Sequence, residues 1–226
     1  MPRDVGTPIL ASAACALLVL VVAAVFYEFG PAVRLDVSLI EHLSRPEASN
    51  GYQLASGIAD LVNPLPFLAI LAGLVAFGLL ARRTPETLAA AAVVAGANLT
   101  TQIAKHLLEH ERYQWALGMH QPMPDAFPSG HTTAAASLAV ALIFVVPARM
   151  RPFAAAAGAA FTAAVGIGLV VIKAHFPSDV LGGLLVVAAW TFAAIAALRL
   201  WRRRGPDAQR HGNEETTSGR FAVSLQ

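Results

Sequence analysis

Apolar stretches with scarcely a charge occupy about 9–27, 64–81, 87–104, 132–148, 153–172 and 180–198, and short polar segments separate them. Each stretch is close to the ~17–25 residues that carry an α-helix across a bilayer. In hydrocarbon every backbone amide must be paired within its own segment, so runs of this kind predict six helices rather than strands. The pattern therefore predicts an all-α fold: a bundle of six transmembrane helices forming one domain over residues 1–200. Residues 28–63 mix charges with apolar positions at helical spacing, which predicts short interfacial helices. Thr84-Pro85-Glu86 reads as a helix start, with threonine at the N-cap and proline at N1. Residues 201–226 are polar and without periodicity, and they predict a disordered tail.

Composition strengthens this picture. Of 226 residues, 56% are hydrophobic and 13% charged, and the mean hydropathy is +0.59, a balance that excludes an ordinary soluble domain. The net charge of +2 gives no reason to expect a nucleic-acid partner. The single cysteine, Cys15, lies inside the first run and has no internal partner for a disulfide. With Arg3 ahead of it, that run also has the form of a cleaved signal peptide. It exceeds the ~7–15-residue apolar core of such peptides, and no small-residue cleavage site follows Phe26-Tyr27-Glu28.

Positive charge sets a direction. If the helices alternate, Arg3, Arg82, Arg83, Arg149, Arg151, Arg199, Arg202, Arg203 and Arg204 share one side, against Arg34, Arg45, Lys105, Arg112 and Lys173 on the other. The richer side is cytoplasmic by the positive-inside rule, which predicts both termini inside a cell (inner or plasma) membrane. Segments 28–63, 105–131 and 173–179 then face outward.

The remaining polar residues gather in three of those outward places. In KHLLEHER, Lys105 and Arg112 are seven residues apart and share a face if the helix continues that far; interfacial snorkelling explains them equally simply. In DAFPSGHTT, Ser129 is a natural N-cap for the helix that follows. A helix N-terminus also attracts anions, Gly130 permits close approach, and His131 titrates near neutral pH. In KAHFPSDV, Ser178 or Asp179 can cap the last helix, while an Asp179 carboxylate on one nitrogen of His175 would leave the other free as a nucleophile. Cations, amide donors and two histidines on one face are the parts that attack on a phosphate requires.

These residues resemble the three motifs of the type 2 phosphatidic acid phosphatase (PAP2) superfamily of membrane lipid phosphatases, K-x6-R-P, P-S-G-H and S-R-x5-H-x3-D. Here they read Lys105-x6-Arg112-Tyr113, Pro128-Ser129-Gly130-His131 and Gly168-Leu169-x5-His175-x3-Asp179. The resemblance implies His175 as nucleophile forming a phosphohistidine, Asp179 as its orienting partner and His131 as general acid. It implies a phosphate cradle of Lys105, Arg112, Ser129 and Gly130, with neither metal nor cofactor. Its substrate would be a lipid phosphate in the bilayer, a polyprenyl diphosphate first and phosphatidic acid or phosphatidylglycerophosphate second. Tyr113 replaces a proline, and Leu169 replaces a phosphate-binding arginine. Losing such a contact costs about 2–4 kcal/mol of transition-state stabilisation. Lys173, one turn beyond Leu169, is the candidate replacement.

Two other readings belong beside this one. The departure at Leu169 suits a catalytically weakened protein that binds lipid phosphates. His106-Leu107-Leu108-Glu109-His110 fits H-x-x-E-H, in which two histidines on one helix face bind zinc and the glutamate acts as general base.

Overall fold

The computed structural model describes residues 4–109 and 126–203. Each apolar run becomes a helix: α1 (Gly6–Glu28), α4 (Pro64–Leu80), α5 (Thr84–Leu107), α6 (Gly130–Val145), α7 (Arg151–Val171) and α8 (Pro177–Arg203). Between the first two lie α2 (Gly30–Leu43) and α3 (Asn50–Asp60), the short helices expected of the mixed segment. Among the described residues there is no strand.

Among the described residues, four helices are long and apolar enough to cross a membrane: α1, α5, α7 with the 3-10 turn before it, and α8. The pair α3–α4 bends by 50° and counts as a fifth span if taken as one. The run expected at 132–148 forms a helix of only 16 residues, about 24 Å at 1.5 Å per residue. By length and composition, four to five of the six expected spans qualify among the described residues, and α6 is the apolar helix that falls short of the length.

This short α6 is nonetheless the centre of the molecule. It packs against α4, α5, α7 and α8, and residues Thr132 to Leu138 are all buried. Small side chains make such enclosure possible: Gly158 of α7 stands where a Cβ would lie 2.7 Å from that of Ala139. Trp190 of α8 covers Gly96 of α5 in the same manner, a Cβ there falling 2.6 Å from its ring, while its indole N–H donates to Thr100 Oγ1 at 3.0 Å. α1 packs along α8, pinned by Ser12 Oγ to the Ala189 carbonyl at 2.9 Å and by Arg199 to the Asp4 carbonyl at 2.5 Å.

Three details depart from the expectations. Thr84 is the first helical residue of α5 rather than its cap; Arg83 precedes the helix, and no side chain caps it. α8 continues through Trp201 to Arg203, residues assigned to the tail. α5 ends at Leu107, so Lys105 is not carried by the same helix towards position 112. The end of α5 is closed from outside, because Tyr27 Oη of α1 donates to the Leu108 carbonyl at 2.7 Å, satisfying an acceptor that a helix C-terminus leaves open.

At one end of the bundle Arg202 pairs with Glu86 at 2.8 Å, and Arg83 donates to the Val146 carbonyl at 2.6 Å. At the other, α5 and α7 finish where α4, α6 and α8 begin, and the candidate site lies there.

Candidate active site

Segments around Asn63, Lys105, Gly130 and His175 meet at that end. The segment before α6 is anchored by Phe127, 1% exposed, whose ring meets Tyr27 edge-on at 6.0 Å between centroids. Gly182 of α8 makes room for it, since a Cβ there would fall 2.5 Å from Phe127 Cε2. Held in this way, Ser129 caps α6: its side chain accepts from Thr132 N at 3.3 Å, and its own N–H donates to the Asp179 carbonyl at 3.0 Å. Cap and anion site are therefore compatible. Thr132 N–H is used by the cap, while the N–H groups of Gly130 and His131 take no partner among the described residues. The Ser129 hydroxyl itself is buried and faces the cap.

His175 lies between α7 and α8. α7 ends in a Schellman motif with Lys173 at φ 59°, in the left-handed region; Ala174 N donates to the Leu169 carbonyl at 2.9 Å and Lys173 N to the Val170 carbonyl at 3.1 Å. Two residues later Pro177 opens α8. Asp179, at its third position, reaches back to Phe176 N at 2.9 Å, the reciprocal half of a capping box. The same Oδ2 lies 3.3 Å from Nδ1 of His175. Asp179 thus secures the helix start and orients the imidazole with one carboxylate oxygen. With Nδ1–H donated to Asp179, Nε2 is the nitrogen left for chemistry.

The two imidazoles are neighbours, their ring centroids 6.5 Å apart and their planes inclined at 61°. Both line a cavity of about 460 Å³ together with Lys105, Gly130, Asn63, Asn98 and Gln102, and with an apolar wall of Val62, Phe67 and Leu68. Of the residues named from sequence, His131, His175, Lys105 and Gly130 thus share one space, with Asp179 and Ser129 behind it. Lys173 is half-buried in its turn and is not among the lining residues. Leu169, 1% exposed, packs with Ala59, Val62, Ala134, Ala135 and Val165. Arg112 and Tyr113 lie outside the described residues.

The H-x-x-E-H segment is only partly helical among the described residues. α5 stops at Leu107, so Glu109 is beyond the helix that was to present both histidines on one face; His110 lies outside the described residues.

Residues not singled out from sequence also support the site. Asn63 Oδ1 is 3.3 Å from His131 Nε2, and its amide donates to Asp60 at 3.0 Å. Asp36 of α2, fully buried, accepts from the N–H of Ser178 at 3.1 Å and from its hydroxyl. A carboxylate on the buried face that α2 forms with Val33, Val37 and Ile40 was the available signal.

Fold and site together define a multi-pass helical membrane protein with a histidine-centred cavity at one end. Residues 86–204, more than half of the chain, match the PAP2 superfamily model, and the protein belongs to that superfamily. The fold is similar to the crystal structure of a transmembrane PAP2-type phosphatidylglycerolphosphate phosphatase from Bacillus subtilis. The TM-score is 0.66 at 22% identity, over 81% of this chain and 94% of that one. A search of curated proteins gave no match.

Proposed function

We propose that this protein hydrolyses a lipid phosphate at the outer face of the cell membrane through a phosphohistidine, using six membrane-crossing segments with both termini inside. The observation that carries this reading is the pair of neighbouring imidazoles in one cavity, one of them held by a buried carboxylate, beside the open N-terminus of α6. A reacting nitrogen stands about 3–3.5 Å from its target atom, and a proton donor lies about 2.6–3.2 Å from the atom it protonates. The two rings line one cavity with their centroids 6.5 Å apart, and a phosphoryl group bound there would have one imidazole on either side.

In this scheme His175 Nε2 attacks the terminal phosphorus as the leaving oxygen departs, the bridging oxygen of a diphosphate or the ester oxygen of a monoester, and His131 protonates that oxygen. Asp179 stabilises the positive charge growing on His175. Lys105 and the N–H groups of Gly130 and His131 neutralise the phosphoryl oxygens, with Arg112 and Ser129 completing the cradle as the family motifs imply. Water, deprotonated by His131, then attacks the phosphohistidine, releasing inorganic phosphate and restoring His175. These residues supply nucleophile, acid and charge without a metal.

The substrate we favour is a polyprenyl diphosphate, followed by phosphatidic acid or the phosphatidylglycerophosphate class named for the structural neighbour. Purified protein in detergent should release phosphate from at least one of these in EDTA and be inhibited by vanadate. His175→Ala should reduce turnover by at least 10³-fold, as losing a covalent nucleophile does, and should abolish an acid-labile phosphoprotein in rapidly quenched wild type. A second reading, a lipid-phosphate binder of weakened activity, draws support from the apolar packing of Leu169 and from the place of Lys173 outside the cavity lining. Binding without turnover on the whole panel would favour it.

A further inference from the structure

Asn63 occupies the N-cap of α4, yet its side chain caps nothing. An asparagine there ordinarily accepts from the N–H of N2 or N3. The sequence Asn63-Pro64-Leu65-Pro66 removes the donors at N1 and N3, because proline has no N–H, and leaves only Leu65 N–H at N2, to which the side chain does not bond. The amide is released to turn towards α6.

Its orientation follows from its two partners. Asp60, at the end of α3, can only accept when ionised, so the NH2 of Asn63 must face it, as the 3.0 Å contact requires. The carbonyl oxygen is left for His131, 3.3 Å from Nε2. An acceptor at that position obliges Nε2 to carry the hydrogen. We propose that Asn63, backed by Asp60, is a positioning residue of the active site: it holds the His131 ring in place and in the Nε2–H tautomer, leaving Nδ1 as the nitrogen where a proton is exchanged. Among the described residues, the charged and titratable groups facing His131 are His175 from the α7–α8 turn, Lys105 from α5 and Asp60 from α3. Asp60 is the one carboxylate in that set, and it acts through Asn63. Asn63 precedes the segment matched by the family model, so this support is supplied by the α3–α4 bend.

The proposal rests on the role of His131 given above, and its test separates the two. ¹⁵N-histidine-labelled protein, with the His131 signal assigned by comparison with His131→Ala, should show the Nε2–H tautomer in wild type. That tautomer should be lost in Asn63→Ala and kept in Asn63→Asp, which retains an acceptor. Kinetics on the best lipid phosphate should show kcat falling roughly 10–100-fold in Asn63→Ala, a part of the 10²–10⁴ a general acid contributes. KM should stay within about twofold, and the alkaline limb of the rate profile should move to lower pH. Asn63→Asp should recover kcat at least tenfold relative to Asn63→Ala. If Asn63→Ala does not fold, Asp60→Leu, which removes the backing carboxylate, should reproduce the tautomer loss. Equal losses in the alanine and aspartate variants, or a wild-type ring already in the Nδ1–H tautomer, would overturn the inference. A wild type without turnover on any lipid phosphate, but with the Nε2–H tautomer dependent on Asn63, would uphold the positioning contact and overturn the proposed function instead.

Discussion

A carboxylate taken fully out of water is destabilising unless its oxygens find donors. Asp36 meets that condition through Ser178, whose N–H and hydroxyl both reach it. It thereby fixes the first turn of α8, one residue ahead of Asp179. Asp36→Ala leaves two buried donors unsatisfied, so it should cost about 2–4 kcal/mol, seen as a lower thermal midpoint in detergent, with Asp36→Asn costing less. Leu169 gives the opposite lesson. Restoring arginine at this position looks like a repair when the motif alone is read, but the side chain is sealed among alanines and valines. Leu169→Arg should therefore reduce the yield of folded protein rather than raise turnover, a result that size-exclusion profiles beside phosphate-release assays would reveal. His131, His175 and Asp179 were legible because motif spacing carries them. Asn63 was not, because an asparagine before proline reads as an ordinary helix cap until its neighbours' missing amides are counted.

At the level of elements, the apolar runs located α1, α4, α5, α6, α7 and α8 to within a few residues, because a bilayer forces length and pairing on any segment it contains. The same pattern could not rank them. α6 is apolar on every side, so nothing in its sequence distinguished a central position from a peripheral one. The stop at Leu107 was also hidden, since the hydroxyl that satisfies its end comes from α1. Close approach between elements makes a direct prediction. Gly182→Ala introduces a Cβ that meets both Phe127 and Pro128, and the Phe127 ring is buried with no space to retreat. Overpacking of this kind costs typically 1–3 kcal/mol. Displacement of the segment leading into Ser129 should lower kcat beyond what the stability loss explains, a difference visible when activity is measured well below the unfolding temperature.

For the whole molecule, the excess of arginines expected on the side away from the cavity implies a topology that labelling can test. In a Cys15→Ser background, a membrane-impermeant maleimide should modify Ala48→Cys in intact cells and leave Arg82→Cys unmodified until the membrane is opened. The reverse pattern would turn the cavity towards the cytoplasm. The short central helix bears on what the cavity can accept. A rod of about 24 Å set in a hydrocarbon layer of about 30 Å falls short of one boundary. If the arginines beside Pro147 hold one end at the inner boundary, the shortfall lies under His131, and the floor of the cavity is recessed below the level of the surrounding headgroups. A phosphate must then descend to react, shedding part of its hydration. A molecule tethered by chains in the leaflet makes that descent with its tail still in oil, whereas a water-soluble ester has no such hold. Equal KM values for the two would show that depth plays no part in selection.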